Sequence, residues 1–539
     1  MMKILITGAS GFIGTALYKK LSCDFDLEVH VLSRTEIIFP KVISHVVKNY
    51  SDEEEIIDVV KNIQPEIIIH AGADMDATTS ENSFLPERQA GTKNIWNTST
   101  SFVKKFIFLS SIYVYAPSEN FIDEESELKP WSVYGEAKRK DELFLEKEAT
   151  EKNISTLVIR LSSVIGLGER GRKATTKILN SVLQNEIAEL NSSNEKRDYI
   201  DVKDVVSVIS TLVKKDFSET KFQYFNLCSG KSYSASEIYF QIIKPAVQRL
   251  GIAPVENLIS NESKINYSLV SNNKLLEILP TDFPFTLIEE SIQSQLAFAV
   301  RKNFQANQQI EKYFSPDFLK EATPDVDMHV HTNQTDGQDS IEEMLIAASN
   351  QKIKYLVFTE HVRKTSAWFE KFFDEINNWR NNGESKMKVL IGTEAAIRTL
   401  DGDIDISNEI LQRTELSMAS YHTSIKNVPN NSPSDFVDLE FRASFAAVAN
   451  PAVDVLGHPM AMSLKKGYTV PENYFLQLAE QCKRHNKLYE INLSYHYEIL
   501  EMLWNIVLKT ETRILIGGNT HSKNEIAKNL NYFYSIITK

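Results

Sequence analysis

The chain is poor in cysteine and has no long hydrophobic run. Its 539 residues include three cysteines, Cys23, Cys228 and Cys482, which lie far apart and form no C-x-x-C pair. This excludes a disulfide scaffold and predicts reduced thiols in a reducing compartment. No apolar run reaches the ~18 residues of a membrane span. The apolar start stops at Thr7-Gly8, which is short for a secretory signal. We therefore expect a cytoplasmic protein without a membrane partner.

An excess of basic charge is also lacking. The chain has 59 basic and 72 acidic residues, a net charge of −13, which argues against a nucleic-acid partner. Histidine is scarce at the start, where His30, His45 and His70 are the only ones of the 11 before residue 329. Packing gives no reason to concentrate the other eight in the rest of the chain. Metal binding does, because neutral imidazole is the commonest metal ligand.

Apolar runs and amphipathic stretches alternate along the chain, which predicts an α/β fold. Predicted strands are 3–7, 28–32, 67–71, 105–109 and 155–160, then 354–359, 388–392, 417–420, 454–457, 488–492 and 513–516. A polar segment with two prolines separates the two series. We predict domains at 1–305 and 325–539, joined by a linker over 306–324. The first domain is expected to be a doubly wound parallel sheet, and a barrel is one way to close the second.

A glycine loop follows the first predicted strand. It reads Thr7-Gly8-Ala9-Ser10-Gly11-Phe12-Ile13-Gly14 and leads into a predicted helix. Three glycines at this spacing allow a tight turn, a close approach of backbone to a pyrophosphate, and close packing of helix on sheet. The free N–H groups of the helix N-terminus favour phosphate. The sequence predicts dinucleotide binding by Gly8, Gly11, Phe12, Ile13 and Gly14.

The end of the second predicted strand bears on which dinucleotide binds. An acidic residue there would bond the adenosine ribose, but the chain has Ser33 followed by Arg34. Because a guanidinium pairs with a 2′-phosphate, Arg34 favours NADP over NAD. The alternative is a solvated arginine in a loop.

A tyrosine and a lysine share one face of a later predicted helix. Tyr134 and Lys138 are four residues apart, and a nearby ammonium stabilises a phenolate. Tyr134 is therefore predicted to exchange a proton with a hydroxyl or ketone. Ser111, which ends a predicted strand, is predicted to hold the same substrate oxygen.

These residues resemble the extended short-chain dehydrogenase/reductase family, which contains NAD(P)-dependent nucleotide-sugar epimerases, dehydratases and reductases. The likeness covers roughly residues 1–300 and includes His70-Ala71-Gly72-Ala73 and the segment Arg197 to Asp204. It implies a Rossmann-type sheet, cofactor contacts at Ala71, Gly72 and Ala73, and a possible homodimer through the helix that carries Tyr134. It leaves open which of the three reactions is catalysed.

The resemblance also implies that Arg197 contacts a substrate diphosphate. The alternative is a structural arginine paired with Asp198. Two positions depart from the family pattern, with Arg88 where asparagine is usual and Asn49 where aspartate lies near the adenine. Cofactor contacts are therefore expected to differ in detail.

Histidines and acids follow the predicted strands of the second domain. His329 and His331 alternate along one strand, so they point to one face and can bind one metal cluster. Six of this domain's eight histidines fall at strand ends, which meet at one mouth of a parallel barrel; the exceptions are His485 and His496. The sequence predicts a metal site here.

This set resembles the PHP (polymerase and histidinol phosphatase) family, from about residue 325 onward. The resemblance implies a distorted (β/α)7 barrel and two to three divalent metal ions such as Zn, Mn or Fe. It implies ligands at His329, His331, Asp336, His361, Glu394, His422, His458, Asn519 and His521. Glu394 would bridge two metals. Asn519 stands where the family has aspartate, and a neutral amide is a weaker ligand. Glu360 is expected to act behind the ligands, while Arg363, Arg398 and Lys426 are candidates for phosphate binding.

The sequence predicts a bifunctional enzyme with small-molecule partners. An NAD(P)-dependent oxidoreductase or epimerase is expected to act on a sugar, which the resemblance implies is linked to a nucleotide, and a metal-dependent phosphatase is expected to hydrolyse a small phosphomonoester. One alternative is a reductase whose second domain is a scaffold with weakened metal binding. The other is a non-catalytic NADP-binding sensor or interaction module.

Overall fold

The structure is a computed structural model. The chain divides into two compact units, Met1–Leu296 and Ala297–Lys539. The division falls inside a helix, Ile288–Ala306, and not in the predicted linker, where a short helix covers Pro316–Glu321. The structure describes residues 1–50, 52–72, 85–152, 154–169, 173–187, 189–190, 194–217, 219, 221–249, 252–254, 259–260, 267–306, 314–321, 325–381, 387–423, 425, 428, 430 and 432–537. Among these, no helix is long and apolar enough to cross a membrane.

The first unit alternates strands and helices as the sequence predicts. Its strands are β1 Met2–Thr7, β2 Leu27–Ser33, β3 Val42–Val46, β4 Ile67–His70, β5 Lys105–Ser111, β6 Ser118–Ile122, β7 Ser155–Leu161, β8 Ser163–Ile165, β9 Glu189–Leu190, β10 Lys196–Asp201, β11 Phe222–Leu227, β12 Ser232–Ser234, β13 Ile259–Ser260 and β14 Tyr267–Val270. Its helices are α1 Phe12–Leu21, α2 Glu53–Ile63, α3 Leu85–Ser99, α4 Val133–Lys152, α5 Ala174–Leu183, α6 Val202–Lys214, α7 Ala235–Glu237, α8 Lys244–Arg249, α9 Asn273–Leu276 and α10 Ile288–Ala306.

The main sheet of the first unit is parallel and doubly wound. Its strand order is β11-β7-β5-β4-β1-β2-β3, and every neighbouring pair is parallel. The chain passes from β3 back across the sheet to β4, which pairs with β1. Ligands of such sheets bind at the carboxyl ends of the strands where the order reverses, here between β1 and β4. The predicted Rossmann-type fold is confirmed.

The second unit is a ring of seven parallel strands. Its elements are α11 Pro316–Glu321, β15 Val326–Val330, α12 Ile341–Asn350, β16 Tyr355–Val362, α13 Phe369–Asn381, β17 Lys388–Ala396, α14 Asn408–Arg413, β18 Leu416–Ser420, α15 Pro433–Val448, β19 Val455–Leu456, α16 Ala461–Lys465, α17 Glu472–Arg484, β20 Leu488–Asn492, α18 Leu500–Thr510, β21 Ile514–Gly517 and α19 Leu530–Ile537. The strands follow one another in chain order from β15 to β21. A bridge between Val330 and Thr520 joins the last strand region to the first. The predicted seven-stranded barrel is confirmed.

The barrel is filled by apolar side chains from all seven strands. The buried cluster contains Val326, Met328, Tyr355, Val357, Leu390, Leu416, Met418, Val455, Leu488 and Leu515. This core closes the interior below the carboxyl ends of the strands, so polar side chains that follow the strands lie above an apolar floor. Capping fixes the helices around it. For example, Ser340 and Glu343 form a capping box at the start of α12.

Candidate active sites

The glycine loop packs tightly against the end of β4. Gly8 has a positive φ of 69°, and a Cβ there would lie 2.7 Å from Cα of Gly72 and 2.8 Å from the carbonyl carbon of Ala71. A Cβ at Gly14 would lie 2.2 Å from the carbonyl oxygen of Gly8. Helix α1 starts at Phe12 after Gly11, with no side-chain cap. The structure thus brings together Gly8, Gly11, Phe12, Ile13, Gly14, Ala71 and Gly72, while Ala73 lies outside the described residues.

A buried histidine fixes this loop. Thr7 Oγ1 lies 2.6 Å from Nδ1 of His70, and Nε2 of His70 lies 3.2 Å from Oγ1 of Thr92. The amide of Gly72 also donates to Thr7 Oγ1 at 3.2 Å. Burial lowers the pKa of His70 to about 3, helped by the charge of Lys138. His70 is therefore neutral, and it ties β1, β4 and α3 together beneath the loop.

Tyr50 is a residue of this site that sequence reasoning missed. Its hydroxyl accepts from the amide of Gly8 at 3.1 Å and donates to the carbonyl of Leu32 at 2.7 Å. It thus joins the glycine loop to the end of β2, beside the exposed Arg34. The signal was an aromatic residue directly after Asn49, but a hydrogen bond to a residue 42 positions away cannot be predicted from local pattern.

Two of the three predicted catalytic residues contact a further tyrosine, Tyr113. Oγ of Ser111 accepts from the Tyr113 amide at 3.3 Å, and the rings of Tyr113 and Tyr134 pack edge to face at 6.3 Å. A Cβ at Gly135 would lie 2.2 Å from the Tyr113 carbonyl oxygen, so this glycine lets α4 approach. Nζ of Lys138 is buried and donates to the Leu109 carbonyl at 2.7 Å.

Arg197 reaches the same tyrosine. Its guanidinium donates to the hydroxyl of Tyr113 at 3.2 Å and pairs with Glu195 at 3.0 Å. Burial would lower the pKa of Arg197, but Tyr113 and Glu195 outweigh burial and raise it. The alternative pairing with Asp198 does not form in the described residues, because Asp198 accepts from the amide and hydroxyl of Ser229. Arg197 is therefore a cation beside the predicted proton-transfer group.

In the second unit, an irregularity in β15 aims two histidines into the barrel. Asp327 pairs with Leu356 but Val330 pairs with Phe358, so three steps on β15 match two on β16. Such an irregularity re-aims side chains. Met328 lies in the apolar core, while both His329 and His331 reach Glu394. The shared face predicted for the two histidines is observed, on a strand that is not regular.

Glu394 is the centre of a buried cluster. One of its carboxylate oxygens lies 2.8 Å from Nε2 of His458 and 3.3 Å from Nε2 of His422. The other lies between 3.2 and 3.5 Å from nitrogens of His361, His329 and His331. Desolvation would raise the pKa of Glu394, but the surrounding histidines hold it well below the usual range.

Asp336 closes the open side of this cluster. Its Oδ2 lies 3.2 Å from Nε2 of His361 and 3.2 Å from Nε2 of His521, and its Oδ1 lies 3.6 Å from Nδ1 of His331. Asp336 is half exposed, whereas His331 is buried. The cluster is therefore open to solvent on the side of Asp336.

The donor set fits divalent metal ions. Three trios have ligand atoms within 4.8 Å of one another: His329, His331 and Glu394; His331, Asp336 and His361; and His361, Glu394 and His422. Four buried atoms of the cluster have no hydrogen-bond partner: Nδ1 of His331, Oε2 of Glu394, Nε2 of His422 and Nδ1 of His458. Buried polar atoms are normally paired, and nitrogen and carboxylate donors suit zinc, manganese or iron.

Asn519 has a different place from the other predicted ligands. It has a positive φ of 52°, and its backbone carbonyl lies 2.8 Å from Nδ1 of His521. Its backbone thus orients His521, whose Nε2 faces Asp336.

Two buried glutamates support the cluster from outside it. Glu360 accepts from the amide of Thr332 at 2.7 Å and from the hydroxyl of Thr335, so it holds the loop that carries Asp336. Burial raises the pKa of Glu360 to about 7. Glu490, in the middle of β20, lies 2.6 Å from Nδ1 of His329. Sequence reasoning missed Glu490, although a glutamate inside the apolar run 488–491 was the available signal.

The three residues predicted to bind phosphate differ in their surroundings. Arg363 is exposed, whereas Arg398 is paired with Asp405 through Nε at 3.1 Å and through a terminal nitrogen at 2.7 Å. Lys426 lies outside the described residues. His496, which does not follow a strand, is buried beside the cluster and bonds the Pro459 carbonyl at 3.0 Å.

Comparisons with known proteins match two stretches of the chain to two different families. Residues 4–228 match the NAD dependent epimerase/dehydratase family, and residues 327–494 match the PHP domain. Protein CapI of Staphylococcus aureus is 27% identical over 312 residues, which are 53% of this chain and 89% of that protein. GDP-6-deoxy-D-talose 4-dehydrogenase of Aggregatibacter actinomycetemcomitans is 25% identical over 306 residues, 55% of this chain and 98% of that protein. The structure of UDP-glucose 4-epimerase of Thermotoga maritima with UDP-glucose has a TM-score of 0.49 at 22% identity, covering 56% of this chain and 99% of that one.

Proposed function

Since the chain joins a domain of the NAD-dependent epimerase/dehydratase family to a PHP domain, we propose that it is a bifunctional enzyme. The first site oxidises and reduces, or epimerises, a nucleotide-linked sugar with NAD(P). The second hydrolyses a small phosphomonoester with divalent metal ions. The observation that carries the proposal is the cluster of the second unit, where Glu394 lies within 3.5 Å of nitrogens from five histidines.

At the first site, the proposal is supported by the position of Tyr113. This residue contacts Ser111 through its amide, Tyr134 through its ring and Arg197 through its hydroxyl. One tyrosine therefore contacts both the proposed proton-transfer residue and the proposed phosphate-binding cation. A nucleotide-linked sugar offers a sugar hydroxyl to the first and a diphosphate to the second, and one relative is named for such a substrate.

The residues of the first site have separate roles. The nicotinamide dinucleotide supplies hydride transfer when it is bound. The Tyr134 hydroxyl exchanges a proton with the sugar oxygen, Ser111 holds that oxygen, and the ammonium of Lys138 favours the tyrosinate. Arg197 binds the substrate phosphates. Arg34 is exposed just beyond β2, where a 2′-phosphate would meet it, so we propose NADP as the preferred cofactor.

At the second site, the ligands are His329, His331, Asp336, His361, Glu394, His422, His458 and His521, with Asn519 as a weak or absent ligand. Divalent ions supply Lewis acidity and lower the pKa of nearby water. Glu394 faces five histidines, which suits a carboxylate shared by two ions. The half-exposed Asp336 lies where a phosphate would enter.

The gathering of histidines around one carboxylate favours a metal site over a scaffold that has lost its metals. Five histidines face Glu394, and neutral imidazole is the commonest metal ligand in proteins. Asn519 favours the scaffold alternative, because it removes one carboxylate. The non-catalytic sensor would have no use for the pair Tyr134 and Lys138.

The test is to assay the full chain for both reactions with two single variants. Wild type is incubated with NADP or NAD and a panel of nucleotide sugars, and separately with phosphomonoesters and Zn²⁺, Mn²⁺ or Fe²⁺. Tyr134→Phe is expected to abolish only the first activity and Asp336→Asn to weaken only the second. Absence of phosphomonoester turnover with every metal would refute the phosphatase, and absence of sugar turnover would favour the sensor.

A further inference from the structure

Glu490 is a buried carboxylate that belongs to no metal-ligand trio found among the described residues. It lies in the middle of β20, with no exposed surface. We infer that Glu490 is a positioning residue that orients two of the proposed metal ligands, His329 and His458, and sets the metal affinity of the cluster. This inference rests on the proposed metal-dependent function of the second site.

The first contact fixes the orientation and tautomer of His329. Oε1 of Glu490 lies 2.6 Å from Nδ1 of His329, and both side chains are fully buried. A carboxylate only accepts, so Nδ1 carries the proton. The unprotonated Nε2 then faces the cluster, 3.0 Å from Nε2 of His331 and 3.4 Å from Glu394. A histidine held in this way is a more basic and better oriented ligand.

The second contact holds the backbone that presents His458. Oε2 of Glu490 accepts from the amide of His458. His458 has a positive φ of 24°, which L-residues rarely adopt. In this conformation its Nε2 lies 2.8 Å from Glu394. One carboxylate therefore ties together two ligands from different strands.

The surroundings of Glu490 are shaped for this role. A Cβ at Gly517 would lie 2.4 Å from Cβ of His329 and 2.6 Å from Oε1 of Glu490, so only glycine leaves room for the pair. Nδ2 of Asn492 donates to Oε1 of Glu490 at 3.0 Å. Asn492 is itself fixed, because its Oδ1 accepts from the amides of Ser494 and Tyr495.

The charge of Glu490 matters as well as its shape. All three of its partners, His329, His458 and Asn492, present N–H donors. In Glu490→Gln the amide nitrogen would face at least one of these donors, whichever way it turned. The variant therefore keeps the volume of the side chain and loses both the negative charge and one acceptor.

The experiment compares wild type, Glu490→Gln and a matched control, Glu415→Gln. Glu415 is a partly buried glutamate of the barrel, which accepts from Arg380 and the Ile391 amide without touching the cluster. Affinities for Zn²⁺ and Co²⁺ are measured in the full chain by competition with a chelator, and the absorption spectrum of bound Co²⁺ reports ligand geometry. Thermal unfolding of the full chain monitors folding of the barrel, and dinucleotide affinity monitors folding of the first unit.

We expect Glu490→Gln to weaken metal binding by about 10–100-fold and to change the Co²⁺ spectrum, with dinucleotide affinity kept. Glu415→Gln should retain the wild-type metal affinity and spectrum. If Glu490→Gln does not fold, Asn492→Ala, which removes one donor to Glu490, should still weaken metal binding.

Two results would overturn the inference while leaving the metal site intact. One is wild-type metal affinity and spectrum in Glu490→Gln, or in Asn492→Ala where that variant is used. The other is an equal loss in Glu415→Gln, because it would show general loosening of the barrel. Failure of wild type to bind any metal is a distinguishable outcome, since it would refute the proposed function and the inference with it.

Discussion

Nε2 of His521 lies 3.2 Å from Oδ2 of Asp336, a residue 185 positions earlier in the chain. The same oxygen lies 3.2 Å from Nε2 of His361. One carboxylate near the start of the barrel thus meets one ligand at the end of its second strand and another that follows its last strand. The cluster forms only when the ring of strands is closed, so metal binding and folding of this unit should stabilise each other.

Replacement of Asn519, the weakest of the predicted ligands, is expected to increase metal affinity. Asn519→Asp should bind divalent metal about tenfold more tightly, equivalent to ~1.4 kcal/mol, because a carboxylate replaces a neutral amide beside the cluster. The left-handed backbone at this position tolerates both residues. Metal content after dialysis checks this. Asn505→Asp, on the exposed face of α18, controls for added charge, and equal metal retention in both variants would argue against a ligand role at position 519.

Turnover at the first site is expected to depend on the hydroxyl of Tyr134. Tyr134→Phe keeps the ring that packs on Tyr113 but removes the group that exchanges the proton. Turnover of nucleotide sugar should fall at least ~100-fold, with unchanged dinucleotide affinity. Steady-state kinetics and titration calorimetry measure the two quantities.

Tyr113→Phe is the matched variant for that experiment. It removes the hydroxyl that accepts from Arg197, so it should raise the KM for nucleotide sugar more than it lowers kcat. If kcat and KM of both variants equal those of wild type, neither hydroxyl has the assigned role.

Cofactor preference tests the role of Arg34. Arg34→Ala should weaken NADP binding by about tenfold or more, the value of a charge-assisted contact to phosphate. NAD binding should change little, because NAD has no 2′-phosphate. Dissociation constants for both dinucleotides check this, and a wild type that prefers NAD would show that Arg34 is a solvated side chain.

Lys105 caps a helix, and its loss should destabilise the first unit. Its ammonium donates to the carbonyls of Leu212, Val213 and Lys215 at the end of α6, at 2.6 to 2.9 Å. Lys105→Met leaves these acceptors unpaired and should cost about 2–4 kcal/mol of unfolding free energy. Lys104→Met, which removes only an exposed pair with Glu66, should cost below ~1 kcal/mol. Chemical denaturation measures both, and equal effects would contradict the assignment.

The raised pKa of Asp204 should make the stability of the first unit depend on pH. Burial raises the pKa of this carboxyl from 3.8 to about 6, against hydrogen bonds from Thr286 that lower it. Because the folded pKa is raised, the folded state binds more protons between about pH 4 and pH 6. Its stabilising contribution is present below that range and is lost as the pH rises through it.

The measurement is the stability of wild type relative to Asp204→Asn, which does not titrate. As the pH rises through this range, the unfolding free energy of wild type should fall relative to that of the variant by up to about 3 kcal/mol, at ~1.4 kcal/mol per pKa unit. Calorimetry at several pH values gives the difference. A difference that does not vary with pH would show that the pKa of Asp204 is unshifted.

Local sequence pattern predicted two α/β domains, and the two family resemblances implied the Rossmann-type sheet and the seven-stranded barrel. The pattern also predicted that the glycine loop and His361, Glu394, His422 and His458 lie at strand ends, because parallel strands bring their carboxyl ends together whatever the details of packing. The irregularity of β15, which aims His329 and His331, could not be predicted, because it depends on pairing with β16.

The sequence pattern also did not predict residues that hold a site residue in place through a hydrogen bond. Tyr50 and Glu490 reach partners 42 and 161 positions away, and neither lies at a strand end. A tyrosine after a strand or a glutamate within one is ordinary in isolation. Only the closed sheet and the closed barrel show that each is buried against a group that the site uses.

A metal-dependent second site is decided by the divalent metal content of the full chain after incubation with Zn²⁺, Mn²⁺ or Fe²⁺ and removal of unbound ions. We expect at least one tightly held ion per chain in wild type and its loss in Glu394→Gln. A wild-type chain that retains none of the three metals would contradict a metal-dependent second site.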